Sequence, residues 1–583
     1  MRLNIKNISA LILIAVLLTA CMLIVSTIWF STQSYESLVN YFIVSLNRPD
    51  LKNLIRESLF TRERYNHVYA WHWIIYPLIF LFVAVCIKKR EKLAELSMFG
   101  IQTIRYSAKN IHRDLISFKR NEKLALLVFL TAYLGLSVYK IVQRDITYDE
   151  AWNYNYFISK PFYFSLILFN TYPLYHMIAH FFNYLPFDDA INIRLPAVVC
   201  GLIFLLVLFY SLRKKYDFRT TIITVLIAFS TPLIIIYSCI SKGVIVSVLN
   251  SLVIFYTAEK MTGKRSIKKY LFIYVVACLL NFLFMPTAII FNTGATLFLF
   301  GWFLRKKDFK KLLQVFIAAV TILLLTAFFY IPSIISSGED IVLKPSDPLS
   351  ISVIERIENL FSATSILFFD NSYLSFFLTL AIIITSFFTK DNFLKKRLLL
   401  SVTIIATTCS AYIFKEQELP DRALAFLFIP YIIFIAWLVN FLFSYKMIPW
   451  FKNIIVYGVL VLTAFAIWYN NKDFLNPPYY QKEPKIVSSI LMKYNVTSTY
   501  IDNQTFYIHY PVVEYYYNKN KKNWQMNTSD VKSTRFKNFR ITDNYDCIIT
   551  GLDTTFNTFP DYSNIYRGSD FLVYVNNRKL RGR

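Results

Sequence analysis

Up to about position 470 the chain alternates between long apolar runs and short polar stretches. Uncharged apolar runs of about 18 residues or more are long enough to cross a bilayer as helices. Runs at 8–30, 72–87, 124–139, 191–212, 220–237 and 241–258 come first. A pair broken at Met285-Pro286 follows, then 312–330, three more before Lys446, and finally 454–469. The pattern predicts a polytopic α-helical membrane protein with about 13 transmembrane helices. The stretch 160–186 differs: it is aromatic and broken by Pro161 and Pro173, which predicts helices lying along the membrane surface. Beyond 470 the apolar runs stop. A helix over 483–494 and β-branched, aromatic strands at 498–501, 505–513, 547–550 and 571–575 predict a small C-terminal α/β domain. Three segments are therefore expected: an N-terminal extension (1–121) with two spans and a basic segment, a membrane module (122–470), and a soluble domain (471–583).

Charge gives these elements a direction. The chain has 583 residues, 56% hydrophobic, with a formal net charge of +26. Such an excess would suggest nucleic acid if it formed one patch, but it is scattered, and no nucleic-acid partner is expected. Lys88-Lys89-Arg90, Arg213-Lys214-Lys215, Arg305-Lys306-Lys307 and Lys395-Lys396-Arg397 fall at alternate turns, with acidic turns between them. Basic turns stay on the cytoplasmic side of a cell membrane. The N-terminus and the segment 88–123 are thus expected inside, and the acidic turns and the tail on the extracytoplasmic face. The first run is too long for a cleaved signal peptide and reads as an anchor. Six of the seven cysteines lie in apolar segments and Cys547 alone is in the tail, so no disulfide is expected there. No metal-binding spacing of Cys or His appears, and no cofactor is expected.

The turn after the third run, Arg144-Asp145-Ile146-Thr147-Tyr148-Asp149-Glu150, carries the candidate chemistry. Carboxylates so near hydrocarbon are costly unless solvated, paired or used. Three further features are expected on the same face: Asn170-Thr171-Tyr172-Pro173-Leu174-Tyr175-His176, Arg194-Leu195-Pro196-Ala197 opening the next span, and Asp421-Arg422 opening a late one. Lys242 opens another. Each has a plainer use: Glu150 pairing with Lys160, His176 and His180 packing on a helix face, Arg194 anchoring its helix, Lys242 reaching to headgroups.

Taken in order, these pieces resemble the GT-C superfamily of polyprenyl-phosphate-sugar glycosyltransferases. The resemblance is to the branch holding protein O-mannosyltransferases and the lipid A aminoarabinose transferase, and it covers about 122–469. Lys242-Gly243-Val244 stands where relatives carry Arg-x-Tyr, and Ala423 follows Arg422 in place of Tyr. The resemblance implies a membrane enzyme that moves a sugar from a polyprenyl-phosphate donor to a lipid, glycan or protein hydroxyl, with inversion. It assigns the general-base role to Asp149, with Glu150 orienting acceptor or sugar. Arg422, Lys242 and Arg194 are the candidates for the donor phosphate, because such groups suit phosphate oxygens. Asn170, Tyr175, His176 and Asp421 are the candidates for acceptor or sugar. A lipid-linked glycan transporter or flippase, a glycan polymerase and a membrane scaffold are the alternatives.

Overall fold

The computed structural model describes residues 5–46, 56, 61–162, 165, 172–263, 266–337, 353–367, 371–414, 421–444, 449–475, 479–501, 509–519, 525–528, 545–551, 561–569 and 571–581. The N-terminal extension folds as α1 (Ile5–Thr32), α2 (Tyr35–Leu46), α3 (Arg62–Lys88) and α4 (Arg90–Ser117). The basic segment expected between spans is thus itself a helix, turning by 71° from the end of α3. The membrane module follows with α5 (Arg120–Gln143), α6 (Tyr148–Asn153), a π-turn at Tyr154–Ile158, α7 (Pro173–Phe182), α8 (Asp189–Asn192) and α9 (Leu195–Arg213). Next come α10 (Phe218–Ser230), α11 (Pro232–Tyr237), α12 (Val244–Met261), α13 (Lys268–Phe284), α14 (Ile289–Arg305) and α15 (Phe309–Ser337). The module closes with α16 (Val353–Ala363), α17 (Ser372–Phe388), α18 (Asn392–Phe414), α19 (Phe428–Ser444) and α20 (Pro449–Leu475).

Among the described residues, seven helices are long and apolar enough to cross a membrane, eight if the bent α3–α4 pair counts as one span. The thirteen apolar runs do not all become long helices. The run 220–237 breaks at Thr231-Pro232 into α10 and α11, because proline lacks the amide that would continue the ladder. The break expected near Met285-Pro286 is a 3-10 turn, Pro286–Ala288, between α13 and α14. Part of the second polar loop forms α16, and 338–352 lie outside the described residues.

Large apolar side chains such as Phe80, Phe388 and Val461 point outward, which suits hydrocarbon rather than water. The core lies among α5, α9, α12, α14, α18 and α19. Within it Asn281 bridges Ser247, Ser251 and Asn292, so helices with little hydrophobic drive to associate in lipid are joined by side-chain hydrogen bonds. Basic turns gather at one end: Arg213 meets Glu122 at 2.7 Å, Lys214 meets Asp114 at 2.7 Å, and Arg397 meets Glu259 at 3.1 Å. The acidic turn and the C-terminal domain are together at the other end, where Lys485 meets Asp145 at 2.9 Å. The alternation read from charge is thus kept in space.

The C-terminal domain contains α21 (Tyr479–Lys493), β1 (Ser498–Ile501), α22 (Tyr510–Lys519), β2 (Gln525–Thr528), β3 (Cys547–Gly551), β4 (Tyr562–Arg567), β5 (Phe571–Asn576) and α23 (Asn577–Arg581). The sheet runs β2-β1-β3-β5-β4, parallel across β2, β1 and β3 and antiparallel across β3, β5 and β4. The expected strand over 505–513 is corrected: 510 onward is α22, and 502–508 lie outside the described residues. Period decides it. Tyr510, Val513 and Tyr517 face the domain's own core, while Val512 and Tyr515 face the membrane module, and only a helix serves both. The two strands not expected, β2 and β4, are the sheet's edges, and their polar sequences give little alternation to read.

Candidate active site

Thr147 caps α6, and Glu150, three residues on, folds back over it. The Thr147 amide and hydroxyl each donate to Glu150 Oε2 at 3.0 Å. This Thr-x-x-Glu box turns the chain sharply as it leaves α5. Glu150 is fully buried and also accepts from the Ser241 amide at 2.9 Å. Arg194, also fully buried, donates to it twice, at 2.8 Å from Nε and 2.7 Å from an Nη. Burial pulls the Glu150 carboxyl upward, but the Arg194 and Arg144 guanidiniums and the Ser241 amide outweigh it and hold it at about 2.

The remaining Arg194 donors go to the carbonyls of Ile141 at 3.1 Å, Arg144 at 2.8 Å and Asp145 at 3.0 Å. All five guanidinium N–H groups are therefore engaged. The expectation that Arg194 faces a lipid phosphate is corrected: it has no donor to spare and no exposed atom. The expectation that Glu150 orients acceptor or sugar is likewise corrected: it is fully buried, with both oxygens engaged by Thr147, Arg194 and Ser241.

Asp149 points the other way. Its side chain is 38% exposed, with Lys242 Nζ donating to it and an Arg422 Nη 3.9 Å away. The three come from α6, the turn before α12 and the 3-10 turn Asp421–Leu427 that leads into α19. Gly243 is what lets Lys242 reach in, because a Cβ there would lie 2.3 Å from the Phe284 carbonyl oxygen. Burial lowers the Lys242 pKa; Asp149 opposes that and Arg422 adds to it. Tyr172 lies beside Arg422. Three separate segments thus place a part-exposed carboxylate between two cations.

Other expected site residues are elsewhere. Tyr175 is fully buried and donates to the Ile193 carbonyl at 2.9 Å, tying α7 to the start of α9. His176 is fully buried, stacked on Phe157 at 5.0 Å, and burial alone pushes it down to about 3, so it is neutral. Both are corrected from acceptor contacts to packing. Asn170 lies outside the described residues, and so does the side chain of Asp421. Sequence reasoning missed Tyr172, although it stands in the same stretch beside Pro173. It also missed the contact with the C-terminal domain, where α22 lies on the loop that carries Asp149. Glu514 accepts from Asn155 at 3.3 Å and Tyr156 at 3.2 Å, and Tyr516 donates to Asp145 at 2.9 Å. Among the described residues no group of three or more His, Cys, Asp or Glu side chains converges as metal ligands would.

Comparison with known proteins agrees with this architecture. Residues 170–331 match the family of dolichyl-phosphate-mannose-protein mannosyltransferases. No curated protein matches the sequence. The crystal structure of ArnT from Cupriavidus metallidurans in the apo state superposes with a TM-score of 0.55 at 12% identity, covering 78% of this chain and 98% of that one. ArnT from the same organism bound to undecaprenyl phosphate superposes with a TM-score of 0.52 at 11% identity, covering 78% and 99%. By its apolar helices this chain is a multi-pass membrane protein, and its fold is similar to that of ArnT.

Proposed function

We propose that the protein is a glycosyltransferase that moves a sugar from a polyprenyl-phosphate donor to a hydroxyl acceptor on the extracytoplasmic face. One observation carries the reading: the part-exposed Asp149 carboxylate held between Lys242 and Arg422. Transfer from such a donor needs a base for the acceptor proton and positive charge for the departing phosphate, and this cluster supplies both. The likeness to a structure bound to undecaprenyl phosphate supports the donor class.

In this mechanism the acceptor hydroxyl gives its proton to Asp149 as its oxygen attacks the anomeric carbon. The bond from that carbon to the phosphate oxygen breaks, and its electron pair leaves with the lipid phosphate. Arg422 offers planar N–H pairs to the phosphate oxygens and Lys242 a point charge. Attack opposite the leaving group inverts the anomeric centre. Glu150 and Arg194 touch no reactant; they hold the turn that presents Asp149. The C-terminal domain is extracytoplasmic and covers this site.

The experiment is transfer in detergent micelles, where transport has no meaning. Purified protein is given polyprenyl-phosphate sugars and hydroxyl acceptors, and the product's anomeric configuration is read by NMR. Product of inverted configuration supports the reading. Retained configuration, or no product across a panel of donors and acceptors, rejects it.

A further inference from the structure

The loop that carries Asp149 is held from both sides by parts of the chain outside the membrane module. Before α6, Asp145 has two attachments: its carbonyl accepts from Arg194, and its carboxylate accepts from Lys485 and Tyr516 of the C-terminal domain, each at 2.9 Å. After α6, the Asn155 amide donates to the Pro511 carbonyl at 2.9 Å and to Glu514, which Tyr156 also meets. Tyr516, Pro511 and Glu514 all belong to α22. Between these attachments Trp152 packs at 4.4 Å from Tyr156 and 6.3 Å from Tyr510, ring to ring. On the other flank, Tyr35, Leu38, Val39 and Ile43 of α2 pack on Tyr156 and Phe157, with Trp152 against the same cluster.

Asp145 to Tyr156 is thus braced at both ends by one ten-residue helix of the C-terminal domain. The polar contacts differ in weight. Lys485 and Asp145 are part-exposed, and such pairs contribute little. Glu514, Asn155 and Tyr156 are buried, so their hydrogen bonds are costly to break and not replaced by water.

We infer that α22 is a positioning element for the reaction, with Glu514 its main positioning residue: it fixes the pitch of α6 and hence where the Asp149 carboxylate points. The inference rests on the proposed glycosyl transfer but concerns a residue that touches no reactant. A displacement of about 1 Å in a reacting group costs up to about a hundredfold in rate, so a loosened brace lowers turnover without removing any catalytic atom.

The test uses the full-length protein in detergent with two substitutions. Glu514→Ala removes both acceptor oxygens, whereas Glu514→Gln keeps one. Hydrogen exchange of the 145–158 backbone is measured together with steady-state kinetics. Glu514→Ala is expected to speed exchange in 145–158 and leave 244–261 unchanged. It should lower kcat between about tenfold and a hundredfold with little change in donor KM, and Glu514→Gln should restore most of both. If Glu514→Ala exchanges and turns over as wild type does, or Gln fares no better than Ala, α22 is only a cover and the inference is overturned. A wild-type protein that transfers no sugar would count against the proposed function instead; the exchange measurement then decides the bracing alone.

Discussion

At each end of α12 a carboxylate meets two cations, and the two clusters are built differently. At the acidic-turn end, Asp149 faces Lys242, just ahead of the helix, and Arg422; the carboxylate and the arginine are 38% and 37% exposed. At the basic end, Glu259 in the last turn meets Lys215, 2.6 Å from Oε2, and Arg397, 3.1 Å away, all 10% exposed or less. Arg397 also donates to the Tyr216 hydroxyl at 2.9 Å and packs over Phe393. The basic end is sealed and joins α9, α12 and α18. Asp149 keeps an open side. The Glu150–Arg194 pair, next door to Asp149, belongs with the sealed kind.

Breaking a sealed cluster should cost stability most. Glu259→Gln leaves Lys215 and Arg397 buried without countercharge, and Arg194→Met leaves Glu150 with Arg144 alone for countercharge. Each is expected to lower stability by about 3–5 kcal/mol, the usual penalty for orphaning a buried charge, read as a large drop in the thermal midpoint in detergent. Midpoints within a degree of wild type would mean that these pairs are not structural.

Arg422→Ala should leave the midpoint nearly unchanged and weaken donor binding. A lost charge-assisted hydrogen bond of about 1.5–3 kcal/mol corresponds to roughly ten- to a hundredfold in affinity, read by competition with undecaprenyl phosphate. Undiminished affinity would remove Arg422 from the donor site.

Acid separates the two kinds again. Glu150 falls from its ordinary 4.5 to about 2, and His176 from 6.5 to about 3. In both, the unfolded chain takes protons that the folded one refuses, so stability is present above the unfolded value and lost as pH falls. Loss therefore begins below about 6.5 through His176 and deepens below about 4.5 through Glu150. His176→Phe preserves the stack on Phe157 and should flatten the upper part of that decline without lowering turnover. A histidine that binds acceptor would instead give a dead variant.

The smallest effect belongs to Lys485→Glu, which reverses an exposed contact to Asp145. It should change stability by less than about 1 kcal/mol. A larger change would mean that the exposed contact, and not buried Glu514, holds the loop.

Membrane helices and the opposite charge of the two ends were legible because apolar length and Lys/Arg bias are local signals. The grouping of Asp149, Lys242 and Arg422 was legible only as chemistry, from residue types that suit a phosphate-linked sugar. The closure of Glu150 had a signal in Thr147-x-x-Glu150, a capping box that fixes the carboxylate inward. Arg194 had none: three of its partners are backbone carbonyls of Ile141, Arg144 and Asp145, which no side-chain pattern reveals. Tyr175 and His176 read as polar, but both turn into the core, where aromatic shape matters more than polar atoms. The strand expected over 505–513 followed β-branched composition, while two-sided burial at helical period governed α22.

The contrast between open and sealed carboxylates is tested most directly by Asp149→Asn, with turnover and thermal midpoint measured on the same preparation beside Glu259→Gln. The amide preserves shape but cannot take the acceptor proton. Turnover should fall by roughly two to four orders of magnitude, as for a lost general base. The midpoint should fall less than in Glu259→Gln, because Asp149→Asn orphans one buried cation, Lys242, and Glu259→Gln two. Wild-type turnover in Asp149→Asn, or a midpoint as low as that of Glu259→Gln, would contradict the assignment of Asp149 as the base.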